Sequence, residues 1–115
     1  MKLPPKNPLI SIIIINYNGG NLLSQCLESV YNSDYQNYEV ILVDNASNDD
    51  SHLKAEKQFP NIILVSNNKN LGSVGRNSGI KIAKGEFITL LDNDTKVNSD
   101  WLDEFLKNYR INGYG

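Results

Sequence analysis

Two aspartates separated by one residue follow a strongly hydrophobic run near the end of the chain. The run is EFITLL at residues 86–91, and the aspartates are Asp92 and Asp94. If strand geometry continues through them, both side chains lie on one side, Asn93 faces the other, and the two Cα atoms are roughly 7 Å apart at about 3.3 Å per residue. This spacing favours a division of labour, in which one carboxylate binds Mg²⁺ or Mn²⁺ and the other accepts hydrogen bonds from a neutral group such as a ribose hydroxyl. A turn or helix-capping role is the alternative for so short a motif.

Three further residues follow other hydrophobic runs and have types that suit a nucleotide. Asp44 follows the run YEVILV, and its carboxylate can accept a hydrogen bond from the N3–H group of a uracil or thymine ring. Tyr17 offers an aromatic ring after the first run. Arg76 lies at a predicted helix start behind Gly72 and Gly75, where a cation and backbone N–H groups suit phosphate oxygens. The plainer alternatives are a loop-stabilising carboxylate for Asp44, packing for Tyr17 and close helix packing for the glycines.

The charges of these candidates imply a bound cation. Three carboxylates come together with only Arg76 and Lys69 as nearby cations. A nucleotide diphosphate would be repelled from this set unless a divalent cation bridged the negative groups. The acidic residues therefore predict a metal ion together with the nucleotide.

Four hydrophobic runs alternate with helical patterns along the chain. The runs LISIIII, YEVILV, NIILVS and EFITLL carry isoleucine, leucine and valine at consecutive positions, which predicts parallel strands buried on both faces. The predicted helices are residues 21–33 with Asn21 as N-cap, about 51–59 ended by Pro60, 73–84 closing on Gly85, and 98–110 with Asn98 or Ser99 as N-cap.

This alternation predicts an α/β fold in three layers. The expected architecture is a Rossmann-like open sheet of mostly parallel strands, built from about four β/α units in a single domain over residues 1–115. Ligands of such sheets bind outside the carboxyl ends of the strands, and polar sequences follow all four predicted strands. The fold therefore predicts that the candidate residues share one edge of the sheet.

Composition excludes several other classes of protein. A net charge of −2 and a pI near 5.3 give no basic field that would hold nucleic acid or anionic lipid. No run approaches the roughly 20 apolar residues of a membrane span, and the first residues lack the pattern of a signal peptide. The single cysteine, Cys26, lies on the apolar stripe of a predicted helix, where we expect it to pack in the core. These features favour the cytoplasm, with the inner face of the membrane as the alternative for a full-length protein.

Three segments in this order and spacing closely resemble the N-terminal half of family 2 glycosyltransferases with the GT-A fold. They are SIIIINYNGGNLLSQCLESV, EVILVDNASNDDS and NLGSVGRNSGIKIAKGEFITLLDND. The resemblance covers about residues 10–106 and is nearest to rhamnosyltransferase-like enzymes of polysaccharide synthesis. It implies transfer of a sugar, with inversion, from a UDP- or dTDP-sugar to an acceptor hydroxyl on a glycan or a lipid-linked sugar.

The resemblance also implies a role for each candidate residue. Tyr17 and Asp44 would contact the base, and Asp92 the ribose. Asp94 would bind the divalent cation, Mg²⁺ or Mn²⁺, that holds the diphosphate. Arg76 matches a position whose role varies within the family, and the resemblance places it among the substrate-binding residues.

The end of the chain departs from the family pattern. The sequence stops at Gly115, shortly after the helix that follows the aspartates, whereas the resemblance places the catalytic base and the acceptor-binding half further along. We therefore expect a donor-binding half, truncated before the acceptor-binding half, with the catalytic base beyond Gly115. The implied strand order 3-2-1-4 also leaves EFITLL at an edge with little protection, which predicts self-association through that edge.

Two other classes of protein remain as alternatives. A non-catalytic remnant that binds a nucleotide or a partner would keep the same residues. A receiver-type signalling domain also binds Mg²⁺ at strand ends, but it needs an acidic pair after the first strand, where this chain has Asn16, and a fifth strand with a lysine. The glycosyltransferase prediction ranks above both.

Overall fold

A computed structural model describes residues 7–112, with side chains described as far as Tyr109. Its sheet has the strand order β3-β2-β1-β4, and all neighbouring strands are parallel. The strands are β1 (Ile10–Asn16), β2 (Tyr38–Asp44), β3 (Ile63–Ser66) and β4 (Phe87–Asp92). Both the predicted α/β class and the predicted strand order are confirmed.

The helices lie on both faces of the sheet. They are α1 (Gly20–Tyr31), α2 (Ser51–Gln58), α3 (Arg76–Ile80) and α4 (Trp101–Asn112), and a short 3₁₀ turn at Gly72–Gly75 precedes α3. One hydrophobic core lies between the sheet and α1, α2 and α4. A smaller core of Ile13, Ile41 and Val43 lies on the opposite face, where α3 packs. The protein therefore has the three layers predicted from the sequence.

Burial on both faces holds for the two central strands only. Every residue of β1 and β2 is buried or half-buried, whereas β4 alternates between half-buried and exposed positions, and β3 is half-buried with Ser66 exposed. The prediction of full burial was wrong for β3 and β4, because these strands lie at the edges of the sheet.

Two predicted helix starts are wrong by a few residues. The Leu22 N–H group bonds to the Gly19 carbonyl at 3.0 Å, so α1 begins at Gly20 and Asn21 lies inside the helix instead of capping it. The Glu104 N–H group bonds to the Asp100 carbonyl at 2.9 Å, so α4 begins slightly later than the predicted caps at Asn98 and Ser99.

The predicted helix at residues 73–84 is much shorter than expected. Only Arg76–Ile80 is α-helical, and Gly85 does not cap it. The Gly85 N–H group instead bonds to the Ser11 hydroxyl at 2.8 Å, and a Cβ atom on Gly85 would lie 2.6 Å from the Ser11 backbone nitrogen. Glycine is thus needed here for close approach to β1 and not for a helix end.

No helix within residues 7–112 is long and apolar enough to cross a lipid bilayer.

Candidate functional site

An open cleft of about 340 Å³ lies at the carboxyl ends of the strands. It brings together four of the five side chains predicted for the site, namely those of Tyr17, Arg76, Asp92 and Asp94. Its other lining residues are Ile15, Asn45, Asn70, Gly72, Ser73 and Asn93. The location follows from the sheet, since the carboxyl ends of parallel strands all open onto one edge.

The segment with the two aspartates is a turn and not an extended strand. β4 ends at Asp92, and the Thr95 N–H group bonds to the Asp92 carbonyl at 3.1 Å, which closes a four-residue turn. Asn93 also borders the cleft, and its Nδ2 group donates to Oδ1 of the buried Asn16 at 2.9 Å, whereas Asp92 and Asp94 are exposed. The strand geometry assumed from the sequence does not extend past Asp92.

The two carboxylates of the turn have different surroundings. Arg76 donates from Nη2 to Asp92 Oδ1 at 2.8 Å and forms an ion pair with it. Asp94 is exposed and has no hydrogen bond or ion pair with any residue that the structure describes. Arg76 thus balances one of the two negative charges that line the cleft, and the Asp94 carboxylate is available to a ligand.

Asp44, the fifth predicted residue, does not line the cleft. It is 2% exposed, and its Oδ1 accepts from the Ser47 hydroxyl at 2.7 Å and from Asn16 Nδ2 at 2.9 Å. Its Oδ2 accepts from the Ser47 backbone N–H group at 3.0 Å. These bonds hold the loop after β2, in which Ala46 has a φ of 60°. These are the contacts expected if Asp44 stabilises its own loop. Contact of Asp44 with a nucleotide base stays a prediction.

The loops after β1 and β2 are bonded to each other beside Tyr17. Asn18, at a φ of 51°, accepts on Oδ1 from the Asn48 N–H group at 2.7 Å. The Asp49 carboxylate accepts from the Ser51 hydroxyl at 2.6 Å and from the Gly20 N–H group at 3.1 Å. The hydrogen bond from the Ser51 hydroxyl is the main cause that lowers the pKa of Asp49. This part of the cleft wall is therefore fixed by side-chain bonds to backbone groups.

A chain of amide and hydroxyl groups holds the loop that carries Arg76. Asn67 donates to Asn45 Oδ1 at 2.8 Å and accepts from the Ser78 hydroxyl at 2.7 Å, while Asn45 donates to the Gly72 carbonyl at 3.0 Å. Asn45 and Asn67 were not predicted for the site. Their positions directly after β2 and β3 could have indicated that they lie near the site, but asparagine is also common in ordinary turns.

Cys26 packs in the core, as predicted, and lies next to the turn. It is fully buried, and its thiol lies 3.8 Å from the Asp92 carbonyl oxygen. Burial raises the pKa of the Cys26 thiol to about 11, and the negative charge of Asp94 adds to this shift. The thiol is thus protonated at neutral pH and does not serve as a nucleophile.

Within residues 7–112, no three or more His, Cys, Asp or Glu side chains form a group that could hold a metal ion. The carboxylates that line the described part of the cleft are those of Asp92 and Asp94.

The fold and the position of the cleft define the class of protein. Similar structures are those of GT-A glycosyltransferases. Residues 1–349 of Staphylococcus aureus TarS in complex with UDP-GlcNAc match with a TM-score of 0.78 and 26% identity, over 87% of this chain and 30% of that fragment. The mannosyltransferase PcManGT from Pyrobaculum calidifontis in complex with GDP-Man and Mn²⁺ matches with a TM-score of 0.82 and 26% identity, over 90% of this chain and 32% of that enzyme.

The sequence comparison identifies the family. Residues 11–115 match the model of glycosyl transferase family 2, and the chain belongs to this family. It is 39% identical over 100 residues to the poly(ribitol-phosphate) beta-glucosyltransferase of Bacillus spizizenii, covering 81% of this chain. The chain spans 16% of that protein, and 33% and 30% of two other bacterial glycosyltransferases.

Proposed function

We propose that the cleft binds the nucleotide diphosphate of a sugar donor and that the chain supplies the donor-binding half of an inverting glycosyltransferase. The observation that carries this proposal is the meeting of Tyr17, Arg76, Asp92 and Asp94 in one cleft at the carboxyl ends of the strands. Family membership supports it, as do the UDP-GlcNAc and GDP-Man bound by the two similar structures.

Asp94 is the residue we assign to a divalent cation, Mg²⁺ or Mn²⁺. Its carboxylate is exposed in the cleft and unpaired among the described residues, and carboxylate oxygens are the ligands that both ions prefer. The small number of protein ligands fits Mg²⁺ in particular, since this ion usually takes one or two carboxylates together with phosphates and water. When bound, the cation would neutralise the negative charge of the leaving diphosphate.

Arg76 and Asp92 are assigned to the phosphates and the ribose. Their ion pair at 2.8 Å leaves Asp92 Oδ2 free to accept from a sugar hydroxyl. Nη1 of the Arg76 guanidinium suits phosphate oxygens, because Asp92 accepts from Nη2 and Nε is buried. Arg76 therefore neutralises the charge of Asp92 in the free protein and can contact a diphosphate in the complex.

Tyr17 is assigned to the nucleotide base. Its side chain is 43% exposed in the cleft, so one part of the ring is available for packing against a base. A uracil or thymine base remains our prediction, with a UDP- or dTDP-sugar as donor. A rhamnosyl donor and a glycan or lipid-linked acceptor are predictions that the similar proteins do not test.

Transfer to an acceptor hydroxyl also needs a base to accept its proton. The acidic residues that line the described cleft are Asp92 and Asp94, and both are assigned to the donor and its cation. We therefore propose that the described residues bind and orient the donor, and we assign none of them as the catalytic base.

Calorimetric titration of the 115-residue chain with UDP, with Mn²⁺ or with a chelator, tests the proposal. We expect weak binding in chelator and at least tenfold tighter binding with Mn²⁺, a gain of about 1.4 kcal/mol or more. Asp94→Asn should remove this gain and leave the thermal midpoint unchanged, because the side chain is exposed.

Asp103→Asn is the matched control. Asp103 is an exposed aspartate in the first turn of α4, outside the cleft, and its loss should not change the effect of Mn²⁺. Equal UDP affinity with and without Mn²⁺ in the wild-type chain would refute the metal role of Asp94. A large drop in thermal midpoint for Asp94→Asn would instead show that Asp94 stabilises the turn.

A further inference from the structure

A buried amide links the ends of three strands beneath the cleft. Asn16, the last residue of β1, is 0% exposed. It donates from Nδ2 to Asp44 Oδ1 at 2.9 Å and to the Ser51 hydroxyl at 3.0 Å. It accepts on Oδ1 from Asn93 Nδ2 at 2.9 Å. One side chain thus joins the end of β2 to the turn that follows β4.

The orientation of this amide is fixed by its partners. The Asp44 carboxylate can only accept, so it faces the NH₂ group of Asn16 and directs the Asn16 oxygen towards Asn93. Asn93 must then present its NH₂ group. Because the Asn16 amide has a partner for its oxygen and for both of its N–H groups, it forms a satisfied buried network of the kind that holds one arrangement.

Gly19 gives independent support for this close packing. A Cβ atom on Gly19 would collide with Asn16 Oδ1 and lie 2.7 Å from Asn93 Nδ2. The backbone of Gly19 has a φ of −71°, which any residue adopts, so conformation does not require glycine at this position. Glycine is required here because the hydrogen bond between Asn16 and Asn93 occupies the space that a Cβ atom would need.

We infer that Asn93 and Asn16 are positioning residues that hold the turn carrying Asp92 and Asp94 against the end of β1. The inference rests on the proposed function, because it assigns these amides a role in presenting the Asp94 carboxylate to the cation. Asn93, between the two aspartates, is therefore more than a spacer. Asp44 supports this arrangement indirectly, because its carboxylate fixes the orientation of the Asn16 amide.

Asn93→Ala removes the donor to Asn16 and tests the inference in two ways. In the ligand-free chain, the Thr95 amide should exchange with solvent several-fold faster, because its bond to the Asp92 carbonyl closes the turn. With Mn²⁺, UDP affinity should fall by about tenfold or more, the range for groups that orient metal ligands. UDP affinity in chelator should change little.

Gly19→Ala provides a second test that leaves Asn93 in place. The added methyl group should displace the bond between the asparagines and give the same faster Thr95 exchange and the same loss of the Mn²⁺ effect. Gly20→Ala is its control. Gly20 has a φ of 53°, and a Cβ atom added there would meet no residue beyond its chain neighbours within 4 Å, so this substitution strains the backbone without touching the bond.

Ser33→Ala controls for general loss of stability. Ser33 is buried away from the cleft and accepts from Trp101 Nε1 at 2.8 Å, so its removal also breaks a buried hydrogen bond. Its thermal midpoint should fall while the Mn²⁺ effect on UDP affinity is kept.

Unchanged Thr95 exchange in Asn93→Ala would overturn the inference. So would a loss of UDP affinity that is the same in chelator and in Mn²⁺, because that result marks a structural role alone. If Mn²⁺ fails to strengthen UDP binding by the wild-type chain, the metal role proposed for Asp94 is refuted, and the exchange of Thr95 still decides whether the asparagines hold the turn.

Discussion

At the scale of residues, the three candidate aspartates differ in their surroundings. Asp94 is exposed and unpaired among the described residues, Asp92 is paired with Arg76, and Asp44 is buried with Asn16 and Ser47 as donors. A buried carboxylate needs such donors, because leaving its charge unpaired away from water is costly. Asp94 alone is therefore free to meet a cation.

The burial of Asp44 leads to a prediction about base selection. Asp44→Ala leaves one N–H group of the buried Asn16 amide without its acceptor, which should cost about 1–3 kcal/mol of the free energy of unfolding. We also expect UDP affinity to fall by about 1.5–3 kcal/mol while ADP affinity stays unchanged, because the predicted contact of Asp44 is with an N3–H group that uracil has and adenine lacks. Chemical denaturation and competitive titration of the two nucleotides measure both effects.

Asp50→Ala is the control for this prediction, since Asp50 is exposed in the same loop and its carboxylate forms an exposed ion pair with Lys54 at 3.5 Å. Equal losses of UDP and ADP affinity would show that Asp44 only holds the loop and does not contact the base.

At the scale of elements, α3 places Arg76 by packing tightly on the smaller core. Gly79 lies against the sheet, where an added Cβ atom would be 2.8 Å from Val43 Cγ2, 3.0 Å from Ile13 Cγ2 and 3.3 Å from Ile41 Cγ2. The helix is only five residues long, so its position depends on this contact and on the polar bonds of the preceding loop. The absence of a side chain at Gly79 is therefore a packing requirement.

Gly79→Ala should displace α3 from the sheet. We expect it to lower the free energy of unfolding by about 1–3 kcal/mol, the usual cost of overpacking, even though alanine favours a helix more than glycine does. Denaturation in urea measures the change. Asn77→Ala, at an exposed position of the same helix, should have little effect, and a neutral or stabilising Gly79→Ala would show that the side chains of β1 and β2 can adjust.

At the scale of the whole molecule, the two faces of β4 differ in coverage. Phe87 and Leu91 pack against the large core, to which Leu102 and Leu106 of α4 contribute. On the other face Ile88 and Leu90 are 41% and 44% exposed. The described sheet has β4 at its edge, so the outer backbone groups of this strand also lack a neighbouring strand. Exposed apolar side chains beside an unpaired edge favour association.

We therefore predict that the 115-residue chain self-associates through β4. Light scattering across a concentration series should show a mass that rises with concentration. Leu90→Lys should keep the chain monomeric, because a lysine on an edge strand opposes pairing. Leu53→Lys is the matched control, since Leu53 is 56% exposed on α2, and it should associate like the wild type. A monomeric wild-type chain at high micromolar concentration would contradict the prediction.

The sequence by itself determined the elements and the edge of the sheet at which the site lies. Consecutive β-branched residues identified β1 and β2, and the apolar stripe with Cys26 identified α1, because both patterns are local. The polar residues after each strand placed Tyr17, Arg76, Asp92 and Asp94 at one edge, since parallel strands end together. The length of α3 was overestimated because its glycines serve contacts with distant strands.

Only the tertiary structure decided which polar groups became partners. Asn16 is 28 residues from Asp44 and 77 from Asn93, and it meets both because β1 lies between β2 and β4. The same sheet order buries Asp44 while leaving Asp94 exposed. Local sequence shows an Asp or Asn at a strand end, but burial and hydrogen-bond partners depend on contacts between residues far apart in the chain. For this reason the sequence identified candidate residues, and the fold determined what each one contacts.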